Sequence, residues 1–117
     1  MITKKYVIGA AAKKAGGQTH IHEVQGLTEM ADGHCHRFGG ATGELIPLEK
    51  GGHRHQYVAV TDFVDGHYHK ICVHTSPMVG VSEDEHVHYA EGYTSVNDGH
   101  KHDFDLTTFQ APNPGTN

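Results

Sequence analysis

Apolar and polar residues alternate along much of this chain, and a period of two is typical of β-strands that bury one face. Within residues 53–63, one set of alternate positions includes Tyr57 and Phe63, while the intervening positions carry charged, amide and β-branched side chains. A second stretch, residues 67–71, places two histidines and an isoleucine on the same face. Helical periodicity is confined to residues 10–15. The pattern therefore predicts an all-β protein.

The histidines recur with a fixed period. Twelve of the 13 histidines form six His-x-His pairs, and successive pairs are separated by 14, 19, 14, 19 and 14 residues. Two successive steps add to 33 residues, which indicates three tandem copies of one supersecondary unit. The pairs are His20/His22, His34/His36, His53/His55, His67/His69, His86/His88 and His100/His102.

The length of 117 residues suits one domain rather than two. We predict a single domain at residues 20–110, preceded by an N-terminal strand or arm and followed by an irregular tail that is rich in Pro, Gly and Asn. The arm spans 1–19, the repeats span 20–52, 53–85 and 86–110, and the tail spans 111–117.

An Asp-Gly dipeptide precedes the second histidine pair of every repeat and predicts a hairpin turn. A three-residue loop, Ala31-Asp32-Gly33, would pair Met30 with His34, and would also pair Thr28 with His36. Farther from the turn, this register pairs a small residue with a bulky one in each repeat: Gly26 with Phe38, Ala59 with Ile71, and Gly92 with Phe104. It also predicts that Met30, Phe63 and Val96 share the inward face with the histidines and with Phe38, Ile71 and Phe104.

A third, shorter strand is expected to precede each repeat, which gives about nine strands in the three units. The candidates are Tyr6–Ala10, Leu45–Leu48 and Met78–Val81. Two arrangements of the repeats are open at this point: closure around a pseudo-threefold axis as a barrel or prism, or stacking as a short solenoid.

The spacing of the histidines points to transition-metal binding. Residues i and i+2 of a strand project from one face about 6.5–7 Å apart, so two imidazoles of a pair can lean onto one ion. Equivalent histidines of the three repeats would supply further ligands in layers such as His34, His67 and His100. Neutral imidazole suits Zn, Cu, Ni and Fe(II), so the sequence leaves the metal open. All twelve paired histidines are predicted metal ligands.

A hydrogen-bonded arrangement is the alternative to metal. Thr28, Thr61 and Thr94 lie opposite histidines in the predicted register, and each hydroxyl could satisfy one ring nitrogen. Under the metal interpretation, the same threonines would support the ligands from behind.

Composition limits the range of partners. The net charge of -5 excludes the basic face that non-specific nucleic-acid binding requires. No segment is long enough to cross a membrane, and no clear signal peptide is present, which favours the cytoplasm while leaving export by a non-standard route open. Cys35 and Cys72 are too few for a disulfide framework.

Several segments between about His20 and Thr108 resemble the YmaF family of small His-rich bacterial proteins. They are His34-Cys35-His36-Arg37-Phe38, Gly43-Glu44-Leu45-Ile46-Pro47, Gly51-Gly52-His53-Arg54-His55, Thr61-Asp62-Phe63 and Asp98-Gly99-His100. The resemblance implies that the histidine pattern is a family feature, and it implies no particular activity.

Three functions follow from these patterns. The first is a metal-binding protein in which His-x-His pairs coordinate ions for structural stabilisation or sequestration. The second is a self-assembling homo-oligomer or polymer that forms filaments or tubes, stiffened or not by metal. The third is a metal enzyme with a three-histidine site, which the triplication of the motif disfavours.

Overall fold

A computed structural model describes residues 19–113, and these residues form only β-strands, turns and irregular connections. The prediction of an all-β protein is confirmed. The strands are β1 (Glu23–Leu27), β2 (Arg37–Ala41), β3 (Ile46–Pro47), β4 (His53–Arg54), β5 (Gln56–Val60), β6 (Lys70–His74), β7 (Val79–Gly80), β8 (Glu85–Val87), β9 (Tyr89–Tyr93), β10 (Asp103–Thr107) and β11 (Ala111–Pro112).

Three antiparallel hairpins of five-residue strands make up most of the domain: β1–β2, β5–β6 and β9–β10. The shorter strands form two small sheets, β3–β4 and β11–β8–β7, and none of the described sheets closes into a barrel. The predicted short strands Leu45–Leu48 and Met78–Val81 contain β3 and β7, whereas Tyr6–Ala10 lies outside the described residues. The segment predicted to be an irregular tail begins with β11, which pairs with β8.

The hairpins lie beside one another in a cycle, with β2 next to β5, β6 next to β9, and β10 next to β1. Backbone hydrogen bonds link the hairpins at both ends. At the Asp-Gly end, a backbone N–H of one hairpin donates to a carbonyl of the next. These bonds run from Glu29 to Asp103, from Asp62 to Arg37 and from Ser95 to Lys70. At the opposite end they run from Gly43 to Gln56, from Ser76 to Tyr89 and from Phe109 to Glu23. Every repeat is therefore tied to both of the others.

The apolar core lies between the two ends of the hairpins. It consists of Val24, Phe38, Tyr57, Ile71, Phe104 and Leu106. The predicted strand register is confirmed, since Gly26 pairs with Phe38, and the equivalent small and bulky residues pair in the other two hairpins. A Cβ atom on Gly26 would lie 2.6 Å from Cζ of Phe38, so the glycine makes room for the ring.

The turn itself differs from the prediction. Ala31 and His34 exchange two backbone hydrogen bonds of 2.9 and 3.1 Å around a two-residue turn, and the turn residues have positive φ, 53° at Asp32 and 85° at Gly33. These values are typical of a type I′ turn, so the predicted three-residue loop is wrong. Thr28 N–H still bonds to the carbonyl of His36. The pairing of Ala31 with His34 and the pairing of Thr28 with His36 differ in register by one residue. A β-bulge accounts for this difference, because residues 29 and 30 lie opposite the single residue 35.

Because of the bulge, three apolar residues point to the opposite side from the one predicted. Met30, Phe63 and Val96 are 68%, 69% and 65% exposed, and they do not share the inward face with the histidines. The prediction was wrong because an extra residue on one strand reverses the side to which the next side chain points. The inward placement of Phe38, Ile71 and Phe104 is confirmed.

Two equivalent glycines provide a matched test of the core packing. We expect Gly26→Ala to destabilise the protein by about 1–3 kcal/mol, because the added methyl group overlaps the buried Phe38 ring. Gly92→Ala should have little effect, since its Cβ would lie 3.6 Å from Cζ of Phe104, which is ordinary contact. Thermal unfolding measures both variants, and about 1 kcal/mol corresponds to a melting shift of about 4–8 °C. Equal melting temperatures for the two variants would contradict this packing.

Candidate metal centres

The twelve paired histidines gather into two clusters of six at opposite ends of the hairpins. The tip cluster, beside the Asp-Gly turns, contains His34, His36, His67, His69, His100 and His102. The base cluster, at the other end, contains His20, His22, His53, His55, His86 and His88. Within each cluster, one nitrogen from every ring lies within 4.8 Å of the nitrogens of all the others. Each cluster takes one His-x-His pair from each repeat.

Buried threonines fix the backbone of the second histidine of each pair. In each case the histidine N–H donates to a threonine Oγ1 at 3.0–3.1 Å. The threonines are Thr28, Thr61 and Thr94 at the tip and Thr42, Thr75 and Thr108 at the base. The predicted hairpin register placed only the first set beside histidines, although the second set recurs with the same 33-residue period and could have been found in that way.

Each cluster has the connectivity of an octahedron. Every ring packs edge-to-face against four of the other five, with centroids 4.6–5.1 Å apart and interplanar angles of 61–87°. The ring left over for each histidine is its opposite corner. The opposite pairs are His20/His88, His22/His53 and His55/His86 at the base, and His34/His69, His36/His100 and His67/His102 at the tip.

The distances between ring nitrogens match an octahedron of metal-ligand size. Four neighbouring pairs of Nε2 atoms lie 3.0–3.3 Å apart in the base cluster, and three such pairs lie 3.2–3.3 Å apart in the tip cluster. Dividing an octahedral edge of this length by √2 places the centre about 2.1–2.3 Å from each nitrogen, close to the length of a metal–imidazole bond.

The groups behind the rings decide which nitrogen faces the centre. Nδ1 of the second histidine of each pair lies 2.8–3.0 Å from a backbone carbonyl oxygen of a different hairpin or of the loop that follows one. The carbonyls belong to Glu29, Asp62 and Ser95 at the tip and to Gly43, Ser76 and Phe109 at the base. A carbonyl can only accept, so Nδ1 carries the proton and Nε2 presents its lone pair to the centre.

Turn aspartates orient the first histidines of the tip cluster. Nδ1 of His34 lies 3.2 Å from Oδ2 of Asp65, and the carboxylates of Asp98 and Asp32 take the same position beside His67 and His100 at 3.5 Å. These contacts form carboxylate–histidine pairs of the kind that raise the basicity of metal ligands. Sequence reasoning assigned the aspartates to the turns alone and missed this second role.

The groups behind the rings of the base cluster differ from those behind the rings of the tip cluster. Nδ1 of His86 donates to Oδ1 of Asn113 at 3.2 Å, and Nδ1 of His20 is buried without a partner among the described residues. Over residues 19–113, no carboxylate pairs with a histidine of the base cluster. The two clusters therefore have the same ring geometry and different charge behind the rings.

Hydrogen bonding alone does not satisfy the inward nitrogens. Nε2 of His69, His88 and His102 is buried and has no hydrogen-bond partner in the described part of the chain. The hydroxyl of Thr61 does lie 3.3 Å from Nδ1 of His36, but it accepts the backbone N–H of His69 and donates to a carbonyl. The threonine contacts thus lie behind the rings, and they supply no donor to the nitrogens at the centre.

Burial favours the neutral form of eight of the clustered histidines. Burial, followed by the positive charge on neighbouring imidazoles, lowers the pKa of His20 to about 2 and that of His55 to about 3, from an ordinary value of 6.5. The same causes lower the pKa of His22 and His53 to about 4. Burial also lowers the pKa of His69, His86, His88 and His102. Neutral imidazole is the form that binds metal.

Other residues of chemical interest lie outside the clusters. His74 and Cys72 are exposed on β6, and Cys35 is half-buried; both thiols are free. Over residues 19–113, the structure contains no helix that is long and apolar enough to cross a membrane.

The lowered pKa values predict that the protein loses stability as the pH falls below about 6.5. The unfolded histidines take up protons near their ordinary pKa of 6.5, while the folded ones stay neutral until about pH 4 or below. Lowering the pH therefore favours the unfolded chain, by up to about 1.4 kcal/mol per pH unit for each such histidine. Denaturant titrations at pH 8, 7, 6 and 5 measure this loss, and a stability that is constant or rising from pH 7 to pH 5 would contradict it.

Comparison with known proteins gives one result. The sequence model of the YmaF family, described as spore germination protein GerY/YamF, matches residues 17–110. Searches of curated proteins and of solved structures found no match. The matched segment includes all twelve clustered histidines and most of the chain, as the resemblance in the sequence predicted. The chain belongs to the YmaF family.

Proposed function

We propose that this protein binds two transition-metal ions, one in each cluster, and that each ion is held by six imidazoles. One observation carries the proposal: in each cluster, six imidazole nitrogens converge on a common centre, and oxygen acceptors behind most of the rings turn their Nε2 lone pairs inward. Lone pairs 3.0–3.3 Å apart repel, and buried nitrogens without a partner are costly. A cation at the centre turns this repulsion into attraction for all six nitrogens at once.

The ions would act first as cross-links. The buried apolar cluster contains only six side chains, which is a thin core for a domain of this size. Ligands in each cluster come from all three repeats, so a bound ion joins hairpins that are far apart in the sequence. Metal-binding free energy then becomes folding free energy, as in small metal-dependent domains.

We also propose that the three repeats surround a pseudo-threefold axis that passes through both clusters, as a prism rather than a solenoid. Equivalent histidines support this arrangement, because the rings of His34, His67 and His100 pack against one another as a triangle. His36, His69 and His102 form a second triangle. The contact between β10 and β1 supports closure of the cycle, which a solenoid would leave open.

Coordination by six imidazoles favours storage or structural stabilisation over catalysis. Catalytic metal sites keep a position open for water or substrate, whereas six protein ligands fill an octahedron. The family description refers to spore germination. Our proposal gives this family member a molecular role in which it holds metal tightly in a cross-linked β-domain.

Elemental analysis of the purified full chain tests the proposal. We expect two ions per chain, and we expect a chelator to lower the melting temperature by 10 °C or more, on the order of the loss of several kcal/mol. His67→Ala should lower the metal content to about one ion and reduce stability, because it leaves the tip cluster with five imidazoles. His74→Ala removes an exposed histidine outside the clusters and should change neither quantity. Purified or metal-supplemented protein that contains no bound metal would refute the proposal.

Self-association is a second candidate function, and one observation favours it. Met30, Phe63 and Val96 form a set of equivalent exposed apolar side chains beside the turns, and Leu27, Val60 and Tyr93, 62%, 57% and 61% exposed, lie close to them in the sequence. Exposed apolar residues that cluster on a surface are typical of interaction sites.

Sedimentation velocity at increasing concentration tests self-association. We expect the wild-type chain to form larger species, and the triple variant Met30→Ser/Phe63→Ser/Val96→Ser to remain monomeric with unchanged metal content. A wild-type chain that stays monomeric at high concentration would reject this candidate without affecting the metal proposal.

A further inference from the structure

We infer that both clusters select divalent ions that accept six nitrogen ligands in an octahedron, of the Fe(II), Co(II) and Ni(II) class, over Zn(II). This inference rests on the proposed function and specifies the ion. It follows from the angles between the ligands, which the His-x-His spacing alone does not define.

The first step concerns zinc. Protein zinc sites are almost always tetrahedral, with four ligands about 109° apart. Six octahedral corners form three opposite pairs, so any choice of four corners includes at least one opposite pair at 180°. In the tip cluster, for example, four ligands must include His34/His69, His36/His100 or His67/His102. Zinc therefore cannot obtain its usual geometry from any four of these rings in their present positions.

The second step concerns the rigidity of the rings. In the tip cluster, the Nδ1 atoms of all six histidines face oxygen acceptors, either backbone carbonyls or turn aspartates. Threonine hydroxyls hold the backbone of the second histidine of each pair. Rotating two rings away to leave a tetrahedron would break these bonds. It would also leave two buried imidazoles without a partner, which is unfavourable.

The third step concerns the other common ions. Neutral imidazole suits Fe, Ni, Cu and Zn, while Mg, Ca and Mn prefer oxygen ligands. Cu(II) favours tetragonal sites, in which one opposite pair of bonds lengthens. The ring centroids in the tip cluster lie 4.8–5.0 Å apart in every neighbouring pair, which gives no pair of rings a longer reach. A regular octahedron is the geometry of six-coordinate Fe(II), Co(II) and Ni(II).

Cobalt spectroscopy tests the geometry directly. Co(II) is titrated into the metal-free full chain, and visible absorption is recorded, because octahedral Co(II) absorbs weakly and tetrahedral Co(II) absorbs strongly. We expect saturation at two Co(II) per chain with only the weak bands. His34→Ala/His36→Ala removes one triangle corner from each layer of the tip cluster and leaves four imidazoles there. That variant should bind about one Co(II) per chain and keep only weak bands, while His74→Ala should give the wild-type spectrum and stoichiometry.

Competition between Ni(II) and Zn(II) tests the selectivity. The metal-free chain is mixed with a limiting amount of an equimolar mixture, and the bound ions are counted after desalting. We expect at least about tenfold more Ni(II) than Zn(II), equivalent to about 1.4 kcal/mol. Intense tetrahedral cobalt bands in the wild type, or bound Zn(II) equal to or above Ni(II), would overturn the inference and leave the proposed function standing. Failure to bind any of these ions would overturn both.

Discussion

The structure depends on six imidazole rings that converge at each end of the domain, most of them with the Nε2 lone pair turned inward. Such an arrangement is unfavourable without a cation, and the surroundings nonetheless enforce it, since carbonyl oxygens hold the Nδ1 protons on the outer side of the rings. The fold thus chooses one tautomer and aims it inward. The apolar core, the hairpin register and the links between repeats all serve to bring three such pairs of rings to one place.

At the tip, a single bulged residue in each hairpin both links two hairpins and orients one histidine ring. The N–H of Glu29 bonds to the carbonyl of Asp103 and thereby joins the first hairpin to the third. Its own carbonyl accepts the Nδ1 proton of His102 and orients that ring. Because a bulge leaves one residue outside the hairpin ladder, both backbone groups of Glu29 are free for the neighbouring hairpin. Asp62 and Ser95 repeat the arrangement.

The sequence was sufficient for the features that depend on local period. Alternation predicted the strands, the spacing of the histidine pairs revealed the 33-residue period, and the register that sets Gly26 against Phe38 followed from keeping each strand's faces consistent across the Asp-Gly hairpin. The bulge was missed because Asp-Gly supports turns of two or three residues, and one residue decides which side Met30 faces. Six-histidine clusters were not foreseen either. The sequence suggested layers of three, and the merging of two layers depends on contacts between repeats.

Because the hairpins contact one another in a cycle, the first hairpin packs against the third, and this affects the order in which the domain folds. Strand β1 contacts β10, which lies more than seventy residues later in the chain. The partner of β1 on this side is therefore synthesised long after β1 itself. A nascent chain that stops before residue 86 offers at most four imidazoles at either end. Neither centre can be completed until the last repeat has emerged and docked against the first. Capture of the ions would then follow synthesis of the third repeat, and the same event would fill both centres and close the cycle of hairpins.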